Sequence, residues 1–276
     1  MMGWQKPFRG TQLKRPHPLA RGLVGAWLIN EETGDIVPDL SGNGRHGVFD
    51  CDPTRVPSGI HFESGEVLWS QPVVRCGDAG WFPSNKGTVI VQVCPHTTGP
   101  NQLAMWWTVD RGTSVSLPSI GMGRQISVSR ALFMYNAGFS IFTSGWNIDV
   151  DKRQVVANTF DSGNKAEIFV DGKLFHGNYS LGELTQGTGN FSFGGYSRSL
   201  INSGLCDIAE IYSVYVYDRV LSAEEIALVS REPYCMFTRA LDIGAMLYAV
   251  PVVGGSIINQ FQKANLGADL FNGSLI

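Results

Sequence analysis

Apolar residues in this chain fall into short runs separated by glycine-, proline- and asparagine-rich punctuation, the pattern of a protein built from strands. Gly22–Asn30 (GLVGAWLIN) reads as a core strand, and Asp39–Gly47 (DLSGNGRHG), with three glycines in nine residues, as a turn-rich loop. Further strands are expected at Gly59–Phe62, Glu66–Ser70, Gly87–Cys94, Met105–Val109, Ile126–Val128, Ala131–Tyr135, Phe139–Thr143 and Gln154–Asp161. Gly87–Cys94 (GTVIVQVC) is the clearest β-branched run. Ala166–Val170 and Lys173–Phe175 flank Asp171-Gly172, a dipeptide suited to a tight hairpin turn, and Phe191–Phe193 and Ile208–Tyr217 complete the set.

One segment carries a helix signature. Ser222 precedes Glu225 by three residues, which is a capping box, and Leu221, Ile226 and Val229 would face a sheet before Pro233 stops the helix. The pattern predicts an all-β protein: an antiparallel two-sheet jelly-roll sandwich with one short helix. Residues 1–21, broken by Pro7, Pro16 and Pro18, read as an extended arm; 22–232 as the sandwich; and 233–276 as a C-terminal extension that serves assembly or docking.

Composition narrows the function. At 276 residues and 43% hydrophobic, the chain can bury a large core. Only 16% of residues are charged, below the roughly 25% of an average domain, and the 33 glycines fit many tight turns. A net charge of -3 gives no bulk attraction to nucleic acid. The one basic stretch (Lys6, Arg9, Lys14, Arg15, Arg21) is interrupted by prolines. No apolar run is long enough for a membrane helix; Ala245–Gly255 is short and contains Pro251. The N-terminus lacks the apolar region of a secretory signal, so synthesis in a cytoplasm is expected. Cys51, Cys76, Cys94, Cys206 and Cys235 show neither a C-x-x-C pair nor metal spacing, and read as reduced thiols.

Three segments, in order, resemble the laminin-G-like members of the concanavalin A-like lectin/glucanase superfamily. They are GLVGAWLINEETGDIVPDLSGNGRHG from Gly22, VVANTFDSGNKAEIFVDGKLF at Val155–Phe175, and CDIAEIYSVYVYDRVLSAEEIALV at Cys206–Val229. The resemblance spans roughly residues 22–230 and implies two antiparallel sheets. Two shorter stretches, PHPLARGLVG near the start and SREPYCMF at Ser230–Phe237, resemble laminin-G-like virion proteins of tailed bacteriophages. That second resemblance implies a non-enzymatic structural or decoration protein of a virion (capsid decoration, head fibre or tail-associated), made in the host cytoplasm. Its partners would be other virion proteins and further copies of itself, with cell-surface glycans as additional ligands. A free carbohydrate-binding or adhesion module is the alternative, and a glycoside hydrolase a more distant one.

Candidate chemistry is sparse. Retaining glycosidases need two carboxylates about 5–5.5 Å apart, which the glucanase relatives supply as E-x-D-x-x-E. The nearest match here is Leu205-x-Asp207-x-x-Glu210, in which the first Glu is Leu and the odd spacing sends Asp207 and Glu210 to opposite strand faces. None of His17, His46, His61, His96 and His176 lies near a G-x-S-x-G elbow. No catalytic residue is therefore assigned. Calcium is the candidate cofactor: the Asp39–Gly47 loop offers carboxylate, amide and backbone oxygens. The family resemblance implies Asp39, Asn43 and Asp207 as ligands. The competing reading is an Asx-turn that satisfies its own backbone. For glycans, Trp69, Trp106 and Trp146 are the candidate stacking residues, set against core packing. Trp106 and Trp107 are adjacent, so a regular strand would bury one and expose the other.

Overall fold

The computed structural model describes residues 6–7, 10–50, 52, 54–57, 59–62, 73–83, 85–96, 103–109, 120–125, 131–136, 140–147, 149–161, 165–179, 189–195 and 209–238. The chain divides into two compact units, Met1–Thr238 and Arg239–Ile276; the second lies outside the described residues, as do the expected strands Glu66–Ser70 and Ile126–Val128.

In chain order the first unit contains β1 (Leu23–Trp27), β2 (Ile36–Val37), β3 (Gly47–Phe49), β4 (Thr54–Val56), β5 (Gly59–Phe62), β6 (Val74–Asp78), β7 (Lys86–Pro95) and β8 (Leu103–Val109). Then follow β9 (Ile120–Gln125), β10 (Ala131–Asn136), β11 (Ser140–Asn147), β12 (Gln154–Asp161), β13 (Lys165–Val170), β14 (Lys173–Tyr179), β15 (Asn190–Phe193), β16 (Ala209–Tyr217) and a helix, α1 (Ala223–Arg231). They form two antiparallel sheets. One runs β14-β13-β12-β7-β16-β5-β4, with β1 also on β16; the other runs β11-β10-β9-β8-β15-β6-β3-β2. The expected all-β sandwich is the observed fold.

Strand alternation divides the first sheet's side chains between two cores. Val89, Val91 and Val93 of β7, with Val214 and Val216 of β16, face the second sheet and meet Trp106, Trp107, Met122, Phe191 and Phe193. Ile90, Tyr215 and Tyr217 point the other way and meet Leu19, Leu221, Ile226, Val229, Met236 and Phe237. Part of the first sheet's outer face is therefore covered by α1 and by both flanking segments.

The described residues of the two expected arms, 10–21 and 233–238, include several that pack on the sandwich unit. Leu13 bridges Phe237, Lys14 N donates to Met236 O at 2.8 Å, and Thr11 Oγ1 donates to Thr238 O at 2.6 Å. Leu19 is fully buried. The PHPLARG and CMF stretches thus have a packing role within one chain, and residues 233–238 belong to the sandwich unit.

The local signals hold where they rest on backbone chemistry. Asp171 (φ 47) and Gly172 (φ 80) make the turn between β13 and β14, with Val170 paired to Lys173. Ser222 and Glu225 form the capping box, the Glu225 N–H donating to Ser222 Oγ and the Ser222 N–H to Glu225 Oε2. Among the described residues Cys76, Cys94 and Cys235 are free thiols.

Candidate functional site

The site is built where the first sheet's outer face is not apolar. Ile60 and Phe62 point into the core, so His61 between them points out; Ala209 and Ile211 do the same for Glu210. In register, Glu210 of β16 lies opposite His61 on β5 and Cys94 on β7. His96 follows the end of β7. Three adjacent strands thereby bring one donor atom each from His61, His96 and Glu210 within 4.8 Å of one another. The two imidazole centroids are 5.5 Å apart, tilted by 49°.

Neighbouring groups fix these side chains. His96 Nδ1 is 2.8 Å from Asp151 Oδ1, and its Nε2 is 3.6 Å from Glu210 Oε1. A carboxylate accepts hydrogen bonds, so His96 Nδ1 is the donor to Asp151, and Nε2 is the ring nitrogen on the Glu210 side. Asp151 is held in place by its own N–H, which donates to Pro95 O at 2.8 Å, and it adopts a left-handed φ of 55°. The Tyr212 hydroxyl donates to Glu210 Oε2. The Arg153 guanidinium lies 3.7 Å from the Tyr212 ring centroid. Arg153 also donates to Gln92 Oε1 at 2.6 Å and to the Tyr234 hydroxyl at 2.9 Å, which ties the site to the second core.

Exposure and charge define what the cluster can do. The His96 and Glu210 side chains are about a quarter exposed, at 26% and 23%, and Asp151 is 60% exposed. Burial, followed by the hydrogen bond to Glu210, pushes the Tyr212 phenol above its ordinary range. Burial and then the Glu210 charge push the Cys94 thiol up to about 11. Neither supplies an anionic nucleophile near neutral pH. The exposed chemistry is carboxylate acceptors, two imidazole rings and a set of metal-competent donors.

Asp39 and Asn43, singled out from sequence, lie elsewhere. Asp39 is buried, and its carboxylate is used by the protein: Oδ1 accepts from Ala26 N at 3.0 Å and Ser41 N at 2.9 Å, and Oδ2 from Ser41 Oγ at 2.8 Å and Arg45 N at 2.9 Å. Asn43 Nδ2 donates to Val24 O at 3.3 Å and Ser41 Oγ at 3.0 Å. His46 Nδ1 accepts the Asp39 N–H at 3.0 Å, so this histidine serves the same loop. Asp207 and Trp69 lie outside the described residues, as does the side chain of Trp146 on β11.

Trp106 corrects an expectation. It is fully buried and so is Trp107, so Trp106 offers no ring face to a sugar. The physical cause is a register shift between Met105 and Trp107 in the β8–β9 pairing, which breaks the alternation and lets both indoles join one core. His61, His96, Asp151 and Arg153 were missed because only strand register brings them together. The available signal was an ionisable residue between apolar neighbours in His61 and Glu210.

No protein-family model and no curated protein matches the chain. The fold is similar to that of Trypanosoma rangeli sialidase in complex with sialic acid (TM-score 0.61, 15% identity, 78% of this chain and 33% of that chain). The same sialidase with 2,3-difluorosialic acid as a covalent intermediate aligns alike (TM-score 0.62, 16% identity, 78% and 33%). The binding domain of botulinum neurotoxin DC in complex with rat synaptotagmin II also matches (TM-score 0.55, 12% identity, 77% and 52%). The chain spans a third to about half of these proteins' length, and the likeness shows a shared β-sandwich. The neighbours overturn the expected role as a virion structural or decoration protein: they are sialidases and a toxin binding domain. The short terminal stretches behind that expectation are used for docking within the chain.

Proposed function

We propose that this chain is a lectin-type carbohydrate-binding module on a laminin-G-like jelly roll, which holds a neutral sugar without cleaving it. The observation that carries this reading is the convergence of two imidazole rings and two carboxylates on a partly exposed area of the first sheet's outer face. Carboxylates accept paired sugar hydroxyls through charge-assisted hydrogen bonds, and ring faces pack against the C–H faces of a pyranose. Similarity to a sialidase in complex with sialic acid supports a sugar-binding use of the fold. Glu210 and Asp151 disfavour an acidic sugar at the imidazoles, while the Arg153 guanidinium is engaged with the Tyr212 ring and Gln92.

Turnover has one feature in its favour, since some glycosidases use a tyrosine nucleophile and Tyr212 is bonded to Glu210. The raised Tyr212 phenol argues against it. So does the arrangement of the carboxylates, with Glu210 and Asp151 set at different nitrogens of His96. The test is a glycan array with the whole chain in EDTA, followed by titration of the best neutral glycan. Saturable binding is expected, reduced about tenfold or more by Glu210→Gln, with no release of reducing ends. Absence of binding by folded protein, or undiminished binding by the variant, overturns the proposal.

A further inference from the structure

The geometry points to a divalent transition-metal site formed by His61, His96 and Glu210, with Zn2+ the best-fitting ion. This goes beyond the glycan reading and does not depend on it. Two neutral imidazoles and one carboxylate form a ligand set that zinc takes at sites with an open fourth position. Hard ions such as Ca2+ and Mg2+ prefer oxygen throughout.

The spacing is close to what an ion requires. Tetrahedral bonds of about 2.0–2.1 Å place ligand atoms about 3.3–3.4 Å apart. Here the three donor atoms lie within 4.8 Å of one another, and His96 Nε2 is already 3.6 Å from Glu210 Oε1. Small side-chain rotations close the remainder. Strand register already holds His61 and Glu210 opposite each other.

The surrounding groups are those that orient metal ligands. Asp151 accepts from His96 Nδ1 at 2.8 Å, which leaves Nε2 as the ring nitrogen on the Glu210 side. This is the carboxylate–histidine arrangement that fixes tautomer and ring orientation in metal sites. The Tyr212 hydroxyl holds Glu210 Oε2, so Oε1 is the oxygen turned to the imidazoles. Both glutamate and histidine are thus aimed by a partner on the side away from the proposed ion.

The experiment titrates Zn2+ into the full chain, without an affinity tag, by calorimetry, with bound metal counted by mass spectrometry after desalting. One Zn2+ per chain is expected, with Ca2+ in equal amount failing to displace it. His61→Ala and Glu210→Gln remove stoichiometric binding. Asp151→Asn weakens it by about 10–100-fold, and this exposed substitution reports on the site even where a strand variant folds poorly. Near-ultraviolet circular dichroism of each variant in EDTA establishes its fold. A folded wild-type chain that retains no stoichiometric Zn2+, or that binds it as tightly as both His61→Ala and Glu210→Gln, overturns the inference. Since the glycan titration runs in EDTA, its result stands or falls separately.

Discussion

The carboxylate of Asp39 accepts the backbone N–H of Ala26 at 3.0 Å and so pins the glycine-rich loop to β1. Three further donors, the N–H and hydroxyl of Ser41 and the N–H of Arg45, fill the same carboxylate. Asp39→Ala leaves buried donors without a partner, at a cost of about 3 kcal/mol. Denaturant unfolding measures it. Because donors already face both Asp39 oxygens, EGTA should leave the melting temperature unchanged. A fall reversed by added Ca2+ would show that the loop is a metal site.

Gly172 is the second half of the hairpin turn, at φ 80°, and a Cβ there would meet the Cα of Ala227 in α1 at 2.8 Å. Backbone strain and a clash with the helix act together. Gly172→Ala is therefore expected to destabilise the protein by about 1–3 kcal/mol. A variant as stable as the parent would mean that α1 does not sit over this turn.

The start of α1 should respond to acid. The hydrogen bond and charge of Arg219, bidentate to Glu225 at 2.7 Å, help hold the Glu225 carboxyl below its ordinary value of 4.5. A depressed carboxyl means that folding favours the ionised form, so this contribution is full above about pH 4.5 and fades as the pH falls through the lower folded value. Stability curves of the parent and Glu225→Gln should therefore converge on acidification. Ser222→Ala removes the reciprocal cap bond at a cost of about 1 kcal/mol. Curves that stay parallel from neutral to acid pH contradict the Arg219–Glu225 account.

Much of the architecture was legible because its causes are local. β5 and β12 occupy the expected residues, Gly59–Phe62 and Gln154–Asp161, and the Asp-Gly turn and capping box are where short-range chemistry puts them. β9 was not legible. Gly121 makes its sequence look like a turn, yet a Cβ there would run into Met105 Cε and lie 2.7 Å from Trp107 O, so glycine is needed for close packing. The cluster of His61, His96 and Glu210 was hidden for another reason. Its members lie far apart in the chain and meet only through the pairing of β5, β16 and β7. The indoles misled because a bulge, invisible in the alternation pattern, buries Trp106 beside Trp107.

The most direct test of sugar recognition is a calorimetric titration of the full chain, in EDTA, with the neutral oligosaccharide that ranks first on an array. A sialylated version of the same glycan is titrated in parallel. The account predicts saturable binding of the neutral glycan, weaker binding of the sialylated one, and neutral-glycan affinity reduced about tenfold or more in Glu210→Gln. A folded chain that binds neither glycan, or a Glu210→Gln variant that binds as the parent does, would contradict it.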